Sequence, residues 1–93
     1  MSDAEAEPVW NLAFTDEADK QFARLDKPVR RRIDTALKRL QADPRPVGAI
    51  KVKGSNAMRY RVGDWRIIYQ IRDGELVIVV IEIGHRSSVY RDY

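Results

Sequence analysis

Cysteine is missing from the 93-residue chain, and histidine occurs once, at His85. The first absence excludes disulfides, thiolate metal ligands and thiol nucleophiles. The second excludes a zinc site built from several imidazoles. Long apolar runs are missing too, since the longest, Leu76 to Ile81, falls far short of the roughly 20 residues that a membrane span needs. Met1 to Pro8 is acidic and has no apolar stretch of the kind a secretory leader requires. There is no Walker or dinucleotide glycine loop, no calcium loop and no metalloprotease helix. Ser87 and Ser88 stand near His85 without the strand-turn-helix elbow of a serine hydrolase. These absences leave the expectation of one small, soluble, cytoplasmic domain with no metal and no cofactor. A chain of this length buries about 60% of its extended surface, enough for a core without covalent staples.

Charge is plentiful and unevenly placed. Residues 1–26 hold seven acids against two bases, residues 27–66 twelve bases against three acids, and residues 67–93 three bases against four acids. A basic middle between acidic ends fits a face that meets a polyanion, although a charge run is equally compatible with a solvated helix face.

The periodicity sets out the fold. Residues 1–8 lack any pattern and read as a flexible acidic tail ahead of a domain at 9–93. Val9 to Phe14 alternates as a strand, with Trp10, Leu12 and Phe14 on one face. Thr15 then caps a short helix whose first turn carries Asp16 and Glu17 and whose apolar side is Ala18, Phe22 and Leu25. Asp26 caps a second helix with Pro28 in its first turn. Its apolar stripe is Val29, Ile33, Leu37 and Leu40, and Pro44 and Pro46 end it. From Ile50 the period changes to two. Ile50 to Lys53, Met58 to Val62, Trp65 to Ile71 and Leu76 to Ile83 read as strands, the last three joined by Gly63-Asp64 and Asp73-Gly74. The expected class is α+β: an N-terminal strand, a helical hairpin, then an antiparallel meander of about four to five strands with the helices on one sheet face.

Two-residue turns fix the register. They pair Arg61 with Arg66 and Arg59 with Ile68, and across the next hairpin Arg66 with Ile81 and Ile67 with Val80. One face then gathers Tyr60, Val62, Trp65, Ile67, Tyr69, Ile71, Leu76, Ile78 and Val80 for the helices. The other holds Arg59, Arg61 and Arg66 with no acid in view. Like charges directly opposite each other destabilise a sheet, so this row calls for an anion. Gly84-His85-Arg86-Ser87-Ser88-Val89-Tyr90 leaves the last strand beside it. Arginine forks suit phosphate and a tyrosine ring suits a base. RNA cleavage without a metal asks for little beyond such cations and a route for the 2′-OH proton.

These residues resemble the RelE branch of the RelE/ParE toxin superfamily of bacterial type II toxin–antitoxin systems. The resemblance runs from Trp10 to Tyr90. It is carried by Phe14-Thr15-Asp16-Glu17-Ala18, Val52-Lys53-Gly54, the stretch from Tyr60 to Tyr69, and Gly84-His85-Arg86 with Val89-Tyr90. It implies a ribosome-dependent endoribonuclease that cuts mRNA in the A site by 2′-OH attack and inhibits translation. It also implies a cognate antitoxin, and contacts of the basic helix and sheet face with ribosomal RNA. By position, Arg66 would stabilise the scissile phosphate, Arg86 would stabilise or protonate the leaving group, and Tyr90 would stack on the nucleotide and assist the 2′-OH. Arg59 and Arg61 fall where such toxins carry lysines, and they join Lys51, Lys53 and His85 as RNA or phosphate contacts. An arginine does not give up its proton near neutrality, so a general-base role for those lysines does not carry over.

Structural readings stand beside these roles. Arg66 could pair with Glu82, Arg86 could cap a carbonyl or pair with Asp92, Tyr90 could close the sheet edge, and His85 could be a turn residue. The ParE branch offers a different function on the same fold, inhibition of DNA gyrase without nuclease chemistry.

Overall fold

The computed structural model describes residues 10–85. The order of elements is β1 (Asn11–Phe14), α1 (Asp16–Ala23), α2 (Lys27–Ala42), β2 (Ile50–Lys51), β3 (Met58–Val62), β4 (Trp65–Arg72), a 3-10 turn (Asp73–Glu75) and β5 (Val77–His85). The sheet runs β1-β5-β4-β3-β2. The meander is antiparallel as expected, while β1 lies parallel to β5 at the far edge and makes the sheet mixed. Both helices lie on one face.

Local chemistry explains the helix starts. Thr15 Oγ1 accepts from the Ala18 N–H at 3.1 Å, and Asp16, Glu17 and Asp19 occupy the positive end of α1. Asp26 holds the N-cap position of α2 in extended backbone but makes no side-chain cap bond; Pro28 in the first turn helps to set the start instead. The predicted stripe is the buried one. Ile33, Leu37 and Leu40, with Ala36, meet Ile67, Tyr69, Ile78, Val80 and Ile83 of the sheet. Two polar ties fasten the loop after α2: the Tyr69 hydroxyl donates to the Pro44 carbonyl at 2.8 Å, and Arg45 forks onto Asp73 at 3.1 and 3.3 Å.

The two hairpins differ. Gly63-Asp64 makes the predicted two-residue turn, with Gly63 at φ +62°, and Arg61 pairs with Arg66 and Arg59 with Ile68 as read. Across the second hairpin Arg66 pairs with Gly84 and Ile67 with Ile83, not with Ile81 and Val80. Two causes add up. The connection is a 3-10 turn closed by Leu76 in the left-handed region at φ 55°, so Leu76 is exposed at the turn rather than in the core. Farther along β5, Ile68 pairs with Glu82 and Tyr69 with Val80, which leaves Ile81 as the extra residue of a β-bulge.

That bulge is held from α1. The Thr15 hydroxyl donates to the Ile81 carbonyl at 3.0 Å, and Gln21 Oε1 accepts from the Ile83 N–H at 2.7 Å. Its effect is to change the parity of β5. Strict alternation from Ile78 and Val80 would send Glu82 into the core; the bulge turns Ile83 inward instead and puts Glu82 on the outer face.

Candidate functional site

The outer face of the sheet, away from the helices, carries the arginine row. Arg59, Arg61 and Arg66 share it because directly paired residues point the same way. The like-charged pair at its end is relieved by a difference in depth. Arg61 is exposed, whereas Arg66 is only 2% exposed and donates from Nη1 to the Trp65 carbonyl at 3.3 Å. The acid that the sequence register left off this face is present: Glu82, half-buried, lies opposite Ile68, one step along β4 from Arg66 on the same face.

Arg59 is half-buried, and beside it the face is apolar. Ile68 is fully buried beneath Val52 and Ala57, with Ile81 packed against them. Val52 and Ala57 come from the β2–β3 loop, which folds back over the sheet. The Val52 N–H donates to the Ala57 carbonyl at 2.8 Å, the Ala57 N–H to Ser55 Oγ at 3.0 Å, and Gly54 takes φ +79° at the bend. Sequence periodicity ended the strand in this region at Lys53; regular pairing stops at Lys51 because the chain turns into this roof.

Lys53 belongs to this loop, which covers part of the arginine face through Val52 and Ala57, and is exposed beside Gly54 and Asn56. Lys51 pairs with Met58 and so points from the opposite face, into a groove it shares with Arg45 and Arg72. His85 is separated from the arginine row as well. It lies opposite Trp65 on the helix side, its ring edge-on to the indole at 5.5 Å and 87°. Arg86 and Tyr90 lie outside the described residues. Among the described residues, no group of three or more His, Cys, Asp or Glu side chains is arranged to hold a metal ion. No helix there is long and apolar enough to cross a membrane.

Two features escaped the sequence reading. One is the bulge that carries Glu82, already considered as a partner for Arg66, onto the outer face; its signal was a lone acid at an inward position of a buried strand. The other is a groove between α2 and β3 rimmed by Arg31, Arg32, Arg39 and Arg61. The helix arginines and Arg61 are far apart in sequence, and only the fold joins them.

Two helices against a five-stranded sheet form an architecture shared with solved RelE toxins. The family model for the ParE toxin of the type II toxin–antitoxin system parDE matches residues 12–90, and the chain belongs to this RelE/ParE superfamily of type II toxins. Among its relatives, the mRNA interferase toxin RelE of Escherichia coli K12 is 30% identical over 86 residues, covering 87% of this chain and 90% of that one. The isolated E. coli RelE toxin superposes with a TM-score of 0.74 at 27% identity, over 89% of this chain and 93% of that chain. The intact E. coli RelBE toxin–antitoxin complex gives a TM-score of 0.73 at 25% identity, over 82% and 95%.

Proposed function

We propose that this toxin is an mRNA endoribonuclease that acts on the ribosome and is neutralised by a cognate antitoxin. The observation that supports the reading above the others is the shared face of Arg59, Arg61 and Arg66. The similarity to a RelE mRNA interferase and to a toxin–antitoxin complex points the same way. Cleavage by 2′-OH attack develops negative charge on the phosphate, and pre-positioned guanidinium groups stabilise that charge without reorganising. Arg66 is the member best fixed for this, because burial and a main-chain bond hold it in place. At 2% exposure it meets a phosphate only after the groups above it move apart, so substrate binding includes an opening step. Arg59, Arg61 and Lys53 hold the RNA backbone, and Lys51 and the arginines of α2 extend the basic surface toward ribosomal RNA. Arg86 and Tyr90 supply leaving-group stabilisation and base stacking, with attack at the 2′-OH needing no metal. The toxin acts in the cytoplasm.

The matching ParE family model favours a second reading, gyrase inhibition without RNA cleavage. One experiment separates them: purified protein with mRNA, with and without programmed ribosomes, and no added metal. Ribosome-dependent cuts with 2′,3′-cyclic phosphate ends are expected. Intact mRNA together with inhibited gyrase supercoiling would overturn the nuclease.

A further inference from the structure

Thr15 and Gln21 have no place in the arginine face, yet both grip the strand that completes it. β1 covers its edge of β5 only from Val77 to Val80. Past that point, Thr15 and Gln21 stand where a neighbouring strand would be. The Thr15 N–H donates to the Val80 carbonyl at 3.0 Å, and the Thr15 hydroxyl donates to the Ile81 carbonyl at 3.0 Å. Successive carbonyls of a regular strand point to opposite neighbours. Here one residue takes two in succession, as the extra residue at Ile81 allows. Gln21 completes the hold: its Oε1 accepts from the Ile83 N–H at 2.7 Å, while its Nε2 donates to Glu17 Oε2 at 3.2 Å. Both ends of the amide are used.

What the bulge does for Arg66 follows by counting. Tyr69 pairs with Val80. Continued without the extra residue, the ladder would set Ile68 against Ile81, Ile67 against Glu82 and Arg66 against Ile83. The observed partners are Glu82, Ile83 and Gly84. A glycine therefore lies opposite Arg66 in place of a branched aliphatic residue. Glu82 stands on the diagonal from Arg66, a separation that long side chains span. Without the bulge that carboxylate would point into the helix-side cluster, which an ionised group enters only at high cost. Arg66 is 2% exposed, so its neighbours, and not water, decide the space that its guanidinium has.

We infer that Thr15 and Gln21 are positioning residues for cleavage: by holding the bulge at Ile81 they keep Gly84 opposite Arg66 and Glu82 beside it, and so fix the Arg66 guanidinium for the phosphate. The inference rests on the nuclease reading and deepens it, because part of the precision of the site is then supplied by the first helix. It also explains why a threonine begins that helix. A hydroxyl accepts and donates at once, so Thr15 caps α1 at the Ala18 N–H and holds the bulge with the same oxygen.

The test is single-turnover cleavage of mRNA on programmed ribosomes over a range of toxin concentrations, below the unfolding midpoint of every variant. Thr15→Asp keeps a side-chain cap for α1 but, ionised, has no proton to give to Ile81. Gln21→Leu removes the acceptor for Ile83. Thr15→Ser and Gln21→Glu keep the two bonds. A misplacement of about 1 Å can cost about 10²-fold in rate, so Thr15→Asp and Gln21→Leu should lower the saturating rate by about 10- to 100-fold and leave the half-saturating concentration within about threefold of the parent. The two conservative variants should cut at close to the parent rate. In an Arg66→Ala background, Gln21→Leu should have almost no further effect, since both changes act through one group. Parent saturating rates in both disruptive variants, equal losses in the conservative and disruptive variants, or a full effect of Gln21→Leu in the Arg66→Ala background would each overturn the inference. Absence of cleavage by the parent chain would overturn the nuclease reading itself, a result distinct from a cutting parent whose disruptive variants cut equally well.

Discussion

On the helix side of the sheet, twelve buried residues form one continuous cluster that joins both helices to β3, β4 and β5. On the other side the same strands bury three apolar residues, Val52, Ala57 and Ile68, among arginines and Glu82. Alternation along a strand makes this division possible, because neighbouring residues serve opposite faces. Hydrophobic burial scales with area removed from water, so most of the fold's stability comes from the helix side. The outer face can then hold like charges in proximity, at a cost that the other face offsets.

The largest expected effect lies on the helix side. Leu40→Ala empties a fully buried position and should lower stability by about 2–5 kcal/mol, a large part of the roughly 5–15 kcal/mol available to a domain. Urea denaturation measures it. A loss well below that range would mean that the division between the faces has been misdrawn.

Arg66→Ala comes next and sharpens the contrast, since it removes the one buried charged residue of the described chain. Cleavage should fall by about 10²- to 10³-fold, the usual consequence of losing a charge-stabilising donor. Burial means that this change also opens a gap, so some stability is lost with it. Arg61→Ala, at the exposed end of the same pair, should weaken RNA binding and leave the unfolding midpoint in place. Parent-level cleavage by Arg66→Ala would end its catalytic assignment.

Why the sequence reveals one hairpin and not the other follows from the same residues. The β3–β4 register is legible because Gly63 supplies the left-handed conformation inside a two-residue turn. At Asp73-Gly74 the same signal misleads: the left-handed residue is Leu76, and Gly74 does not take positive φ. The bulge at Ile81 then shifts the pairing again, held by Thr15 and Gln21 from a distant helix. Local pattern cannot contain contacts made across more than sixty residues of chain. The place of β1 beside β5 and the roof of Val52 and Ala57 escape for the same reason. The arginine face survives these errors because all three of its members belong to the correctly read hairpin. The side on which His85 lies was not legible, since it depends on the shifted β5.

Tyr69 offers a smaller effect with a pH signature. Its hydroxyl is buried against the Pro44 carbonyl, and burial, with Tyr60 nearby, pushes its ionisation well above the ordinary tyrosine value. A group raised in the folded state protects the fold below its unfolded pKa of about 10 and loses that protection as pH rises further. Stability should therefore decline above about pH 10. Tyr69→Phe should cost about 1–2 kcal/mol at neutral pH through the unsatisfied carbonyl and flatten the alkaline decline. An unchanged alkaline slope in the variant would assign the decline to other groups.

The smallest effect belongs to Arg45 and Asp73, which join the loop after α2 to the β4–β5 turn and lie on neither face. The guanidinium fork holds the Asp73 carboxyl below its usual range. A depressed carboxylate contributes above its unfolded pKa, near 3.9, and the contribution disappears as pH falls through the folded value. Both side chains are more than half exposed, so water and salt screen the pair and little of the attraction reaches the folding equilibrium. Asp73→Asn should thus leave cleavage and the neutral-pH midpoint nearly unchanged, with any difference from the parent shrinking as the solution is acidified below about pH 4. A collapse comparable to that of Leu40→Ala would show that the turn, rather than the helix-side cluster, holds the two hairpins together. The bulge would then owe its position to the turn behind it as much as to the helix in front.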